Sequence, residues 1–345
     1  MSAIGTFITG VSRKAPGAWS WVGLIAGGIV VFLISSSLSP RNMDVLISLF
    51  IYMAGAVGWN IIGGIGGQFS LVHAAFVGAG AYTAIMVTRD PLGLSAPAGM
   101  LFAIVVGIVL SLIVGSFLFL LRGILFAIAS LAVGMAILAW MTIWEFTGAS
   151  QNLSGVGSLV PRRPEQFNYA ILVVVVAIGI SLLVQHSRYG LRLRSVRDDQ
   201  EVADSLGVSP FWTKLRAMVI SGGIMGAVGA LVAWQVGSVE PFSTFSLNWT
   251  INFIVMAVIG GLGTVWGPAI GAVIIYYGLT VMLQGFPYVN LVVSGLLMIV
   301  LITLLPGGLI GGVKTLIERS RSKSTVPPTP SVTAAASPHA GTTGS

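Results

Sequence analysis

The chain has 345 residues, 55% of them hydrophobic and only 8% Asp, Glu, Lys or Arg, with a formal net charge of +7 and no cysteine. A soluble domain carries roughly 25% charged residues, so this composition excludes a water-facing globule and makes lipid the solvent for most of the fold. The lack of cysteine excludes disulfides, thiolate metal sites and a cysteine nucleophile. The basic residues lie between apolar runs, which argues against nucleic acid as a partner.

About 20 predominantly apolar residues cross a bilayer. Such runs fall at Trp19–Leu38, Asp44–Ile62, Val72–Thr88, Pro97–Leu121, Ile124–Phe146, Asn168–Ser187, Leu215–Gly237, Thr250–Gly263, Val265–Gln284 and Asn290–Leu309. This predicts an all-α polytopic membrane protein with about ten transmembrane helices, within a range of 8–10. Residues 1–18 form a short leading segment, 19–310 the membrane domain with a charged loop at 188–214, and 311–345 a Pro-, Thr-, Ser- and Ala-rich tail expected to be disordered. The first run is read as a retained helix, because it is longer than a signal-peptide h-region and no A-x-A site follows it.

An even number of spans puts both termini on one side. With the N-terminus inside, the inner face carries Arg13, Lys14, Arg122, six bases from Arg188 to Arg216, and Lys314, Arg319, Arg321 and Lys323. The outer face carries Arg41, Arg89, Arg162 and Arg163. Thirteen bases against four place the inner face, both termini and the loop at 188–214 in the cytoplasm of an inner-membrane protein.

Small-xxx-small pairs that let helices approach closely occur at Gly23/Gly27, Gly63/Gly67, Gly222/Gly226 and Gly267/Gly271. Ile62-Gly63-Gly64-Ile65-Gly66 is echoed by Ile259-Gly260-Gly261-Leu262-Gly263, each at the inner end of an inward-running helix. Two readings fit the echo: a parallel structural repeat with broken helices beside a path, or coincidence in a glycine-rich chain. The candidate break glycines are Gly63, Gly64, Gly66, Gly67, Gly260, Gly261 and Gly263.

Ten of the 27 charged residues crowd between Arg188 and Arg216. Within this stretch Ser195 with Asp198 forms a weak capping box, Asp198, Asp199 and Glu201 favour a helix N-terminus, and Gly207 with Pro210 supplies a stop. One short helix at about Val196–Leu206 is expected, with a seam of Val196, Ala203 and Leu206. It either rests on its own bundle or offers a docking face to another protein.

The chain lacks a phosphate-binding G-x-x-x-x-G-K-[ST] loop, since Gly311-Gly312-Val313-Lys314-Thr315 has the wrong spacing. Of the carboxylates, Glu145 falls within a predicted span near its outer end and Asp44 begins one; this scarcity argues against the mid-membrane relays of an ion-coupled carrier. His73, His186 and His339 are far apart and no catalytic constellation is visible, so neither a metal centre nor an enzyme is expected. Gln68, Ser70 and His73 are polar groups in a glycine-rich segment; they fit either a translocation pathway or helix–helix hydrogen bonding.

Four blocks resemble one family. Glu201-x-Ala203-x-x-x-Gly207 is similar to the E-A-A-x-x-x-G signature of ABC-importer permeases. GQFSLVHAAFVGAGAYTA (67–84), LRGILFAIASLA (121–132) and VIGGLGTVWGPAIGA (258–272) resemble segments of the branched-chain amino acid permeases, specifically their methionine-named high-affinity type. Val72 and Leu125 depart from that pattern, as does the loop Thr147–Gly155. The resemblance implies a type II ABC-importer-like permease bundle, with Arg197, Asp198, Asp199, Glu201, Ala203, Asp204 and Gly207 on an ATPase-coupling helix. It also implies a sister permease in a heterodimer, two ATP-binding subunits holding ATP and Mg, and an extracytoplasmic solute-binding protein, with no cofactor on this chain. Branched-chain or other small amino acids would be the solute; relatives of the same fold carry urea, short amides or small carboxylates.

Overall fold

The computed structural model describes residues 39–281, apart from 90–91, 150 and 155–159, together with helical residues 21, 23, 24 and 26–29. Residues 1–18, the tenth predicted span, the end of the ninth and the tail 311–345 lie outside the described residues.

The chain is helical almost throughout. Helix α1 (Pro40–Asn60) starts with Pro40 in its first turn and Ser39 Oγ accepting from Asn42 N, and it ends in a π-turn at Ile61–Ile65. Then follow α2 (His73–Thr88), α3 (Ala96–Leu118), α4 (Ile124–Ile143) and α5 (Arg163–His186). Two short helices, α6 (Arg188–Asp198) and α7 (Gln200–Ser205), precede the longest, α8 (Pro210–Val236). Helices α9 (Pro241–Thr244), α10 (Leu247–Gly260) and α11 (Gly267–Ile275) complete the described chain, α11 continuing as a π-turn at Tyr276–Val281.

Six segments among the described residues are long and apolar enough to cross a membrane, and His73–Thr88 and Gly267–Gly278 are shorter apolar helices. The third predicted span is therefore only 16 residues long as a helix. The eighth is extended at its start by α9, giving Pro241–Gly260.

Helix α8 is the centre of the bundle, buried along most of its length against α1, α2, α3 and α5. Its small residues explain the approach. Gly222 meets Ser111 and the Gly107 carbonyl of α3, Gly226 meets the Ala103 carbonyl, and Gly229 meets the Val77 carbonyl of α2. A β-carbon at any of these points would collide with a backbone or a short side chain, so glycine sets the interhelical distance. Gly267 and Gly271 act likewise against Gly260 and Met256 of α10. The other two expected pairs do not form helix seams among the described residues: a β-carbon at Gly23 or Gly27 meets no described atom within 4 Å, and Gly63 and Gly67 meet the side chains of Trp59 and Arg197.

Spans that follow one another in sequence run in opposite directions, which sorts the charges by end. One end gathers Asp44 of α1, Arg163 of α5 and Gln235 of α8: Arg163 pairs with Asp44 at 3.3 Å and donates to Gln235 O at 3.2 Å. A two-residue antiparallel ladder, Leu153 with Val239 and Ser154 with Ser238, closes this end. The opposite end holds α6, α7 and Arg122. Among the described residues it carries Arg122, Arg188, Arg192, Arg194, Arg197, Lys214 and Arg216, against Arg41, Arg89, Arg162 and Arg163 at the first.

Candidate functional site

The charged segment folds as two helices, not as one at Val196–Leu206. Ser195 lies inside α6, donating from Oγ to Arg192 O, so it caps nothing. Asp199 takes an extended backbone (φ −153°, ψ 114°) that ends α6 and starts α7. Its Oδ1 accepts from Glu201 N at 2.9 Å and Val202 N at 3.0 Å, satisfying two of the amides a helix start leaves open. The carboxylate also faces the positive end of the α7 dipole. Asp198 becomes the last residue of α6 instead of an N-terminal acid.

The predicted stop at Gly207 is present. Gly207 has φ +81°, a conformation that suits a residue without a β-carbon. Val208 N donates to Ala203 O at 3.0 Å and Gly207 N to Asp204 O at 2.9 Å, the two bonds of a Schellman end. The expected seam is only partly right: Val196 and Ala203 are buried, but Leu206 is 76% exposed. The break at Asp199 resets the helical phase, and Leu206 lies beyond the last turn of α7.

Among the contacts that seat this unit on the bundle are those of Tyr189, Lys214 and Arg122. Tyr189 donates from its hydroxyl to Thr213 O at 2.8 Å, and burial pushes its pKa up, keeping that proton in place. Buried Lys214 donates to Gln200 Oε1 at 2.6 Å. Arg122 and Glu201 pair at 3.4 Å, but both are exposed, so the pair contributes at most about 1 kcal/mol. What remains outward is a mixed surface: Leu191, Val202, Leu206 and Trp212 are more than half exposed, beside the acids Asp198, Glu201 and Asp204. A short amphipathic unit standing off a membrane bundle with apolar side chains facing water has the character of a docking face.

The two glycine echoes lie side by side beneath α6. Gly64 approaches the Gly263 amide so closely that a β-carbon there would overlap it and the Asn60 side chain. Their backbones differ, however. The first copy is a π-turn, while the second leaves α10 through Gly261 (φ +121°) and Gly263 (φ +73°). The five-residue match is thus not one repeated local structure. Asn60 joins the copies: its Nδ2 donates to Thr264 O at 2.8 Å, and its Oδ1 accepts from Gly263 N at 2.9 Å. Arg197 reaches the same point from α6, donating from Nη1 to Gly64 O at 2.8 Å and lying against Gly67 and Gly263. Asn60 was not among the sequence candidates. Its signal was a lone amide at the end of an apolar run, just before four glycines in eight residues.

Between Gly66 and Val72 the chain has no regular helical bonds; Gly67 and Phe69 are exposed, while Ser70 and Val72 are buried and side chains of other helices satisfy the backbone around them. Trp59 Nε1 donates to Ser70 O at 2.9 Å, Leu71 N donates to Ser130 Oγ at 2.9 Å, and Ala74 N donates to Thr250 Oγ1 at 2.7 Å. Irregular backbone at membrane depth persists only under such cover. Of the pathway candidates, Gln68 is half-buried while Ser70 and His73 are fully buried. His73 Nε2 lies 2.9 Å from Ser221 Oγ, which donates to Gly58 O at 2.8 Å, so the ring N–H donates to the serine and ties α2 to α8 and α1.

A multi-span helical bundle with satisfied irregular backbone in its interior and a capped, charged appendage at one end defines a membrane transport component. The family described as branched-chain amino acid transport system / permease component matches residues 42–302, and the chain belongs to it. It is 25% identical over 294 residues to the high-affinity branched-chain amino acid transport system permease protein LivM of Salmonella typhimurium, covering 76% of this chain and 69% of that one. The Escherichia coli LivM protein is 25% identical over 297 residues, with the same coverage of each chain. The probable branched-chain amino acid transport permease protein LivH of Methanocaldococcus jannaschii is 26% identical over 153 residues, 42% of this chain and 48% of that one. No solved structure matches.

Proposed function

We propose that the chain is the membrane-spanning, non-catalytic subunit of an ATP-driven ABC importer for branched-chain or other small amino acids. The observation that carries this reading is the α6–α7 unit. It is capped at Asp199 and stopped at Gly207, and it turns Val202, Leu206 and Glu201 outward instead of burying them. The end bearing it is the basic one, which the positive-inside rule assigns to the cytoplasm. There it meets one of two ATP-binding subunits, which hold ATP and Mg. A sister permease completes a heterodimer in the inner membrane, and an extracytoplasmic binding protein delivers solute to the opposite end. ATP then shifts the permease between outward and inward states only through its different affinity for the two ATPase arrangements.

The test is uptake of radiolabelled leucine by vesicles carrying the reconstituted complex. Glu201→Lys places a base on the docking face, so uptake and stimulated ATP hydrolysis should both fall while the receptor still binds leucine. Full coupled uptake by a correctly inserted variant refutes the docking role of α7. Leucine uptake that continues with a hydrolysis-dead ATPase refutes the importer reading.

A further inference from the structure

The hydrogen bonds at the inner end assign different jobs to two residues, Asn60 and Arg197. Asn60 is completely buried in an apolar helix, where an amide is tolerated only if its donors and acceptor are used. Both bonds described for it go to adjacent residues of the second glycine break, Gly263 and Thr264. The α1 and α10 ends are thereby clamped to each other independently of anything outside the bundle. Arg197 behaves differently. It is exposed, has no carboxylate partner among the described residues, and makes one hydrogen bond into the junction, to Gly64 O. Its charge sits where the C-terminal ends of α1 and α10 converge, the negative ends of both helix dipoles. Among the described residues this is the only hydrogen bond between the α6–α7 unit and either glycine break.

Resting on the importer reading above, we propose that Arg197 is the positioning residue that carries motion of the docking unit to the membrane helices. In this assignment Asn60 makes the two glycine breaks move as one inner gate. The geometry suits the task. A single charge-assisted bond to a backbone carbonyl transmits a pull yet can be exchanged for another carbonyl after one step, whereas the two-point amide clamp holds through the cycle. The π-turn at Ile61–Ile65 and the irregular stretch after Gly66 supply the backbone that can bend on either side of the clamp.

The experiment uses the reconstituted complex with its ATPases and binding protein, and reads leucine transported per ATP hydrolysed. Arg197→Ala should lower that ratio about tenfold, the scale of one hydrogen bond to a charged group, while ATP hydrolysis stays within about twofold of wild type. Arg197→Lys keeps a cation that can reach one carbonyl and should recover most of the ratio. The cysteine-free chain also allows spin labels at Leu262→Cys and Phe242→Cys, exposed positions at the inner break and the opposite end. Their separation should change on vanadate trapping in the Arg197 parent and remain fixed in Arg197→Ala. An unchanged transport ratio, or the same separation change in Arg197→Ala, overturns the relay. Failure of the unmutated complex to couple leucine uptake to ATP overturns the importer reading instead.

Discussion

The chain of bonds from His73 through Ser221 to Gly58 gives a prediction whose size can be worked out. Three helices meet there: α2 contributes a ring N–H, α8 a hydroxyl, and α1 a carbonyl that already accepts from Ile61 within its own helix. Ser221→Ala removes one acceptor and one donor. The Gly58 carbonyl keeps its helical partner, so the main cost falls on the His73 N–H, left buried without an acceptor. Such a group costs about 1–3 kcal/mol, while side-chain bonds between membrane helices average about 0.6 and reach about 1.7 kcal/mol. A loss of about 1–2 kcal/mol is expected for Ser221→Ala, and a coupling energy of about 0.6–1.7 kcal/mol between Ser221→Ala and His73→Phe. The assay is denaturant unfolding of the purified protein in mixed micelles for both single variants and the double. Uptake, normalised to folded protein, should change little in Ser221→Ala. A coupling energy of zero, with normalised uptake abolished in His73→Phe, would refute the tie between helices and put His73 on the solute path.

Asp199→Ala removes the only described side-chain cap of α7 and should destabilise that helix by about 1 kcal/mol, whereas Asp199→Asn keeps a comparable acceptor. The binding constant for the ATPase subunit, measured by titration in nanodiscs, should weaken about fivefold in the first and hold in the second. Equal behaviour of the two variants would show that the charge, not the cap, is what matters. Gly226→Val pushes a side chain into the Ala103 carbonyl and should cost about 1–3 kcal/mol as overpacking, lowering the melting temperature in detergent. Gly27→Ala, in a pair with the same spacing, meets no atom of the described residues and should leave it unchanged.

The class of fold was legible because composition and window length depend on lipid and nothing else. The stop at Gly207 was legible because a left-handed residue and the proline after it are local demands. What misled was continuity. Nothing in SVRDDQEVADSLG marks the change of phase at Asp199, since an aspartate serves equally well inside the first turn or just before it. The choice is made by Val196 and Leu193, which are buried against the bundle and fix α6 in its own phase. The glycine pairs show the same limit. Four pairs of equal spacing look alike, yet among the described residues only Gly222/Gly226 and Gly267/Gly271 both pack against the backbone of another helix or its end, because spacing creates a groove without specifying what fills it.

The junction at Asn60 was the least legible part, and the reason is sequence distance. Its partners lie 203 and 204 residues away, so no local pattern names them. A lone intramembrane asparagine announces only that something must satisfy it. The echo of the glycine runs pointed to the right two places but for an incomplete reason, since the copies do not share a backbone conformation. Each break leaves peptide groups that lipid cannot satisfy, and the smallest solution is to turn the two breaks toward each other. Gly64 has no side chain to keep the Gly263 amide away, and one amide side chain then pairs with a donor and an acceptor of the other strand. A break made necessary by glycine thus brings its own partner close. Arg197 is held there because the two helix ends meeting at the break make the local potential negative. The weakness of two helices, their unsatisfied ends, is what gives the charged segment a grip on the membrane interior.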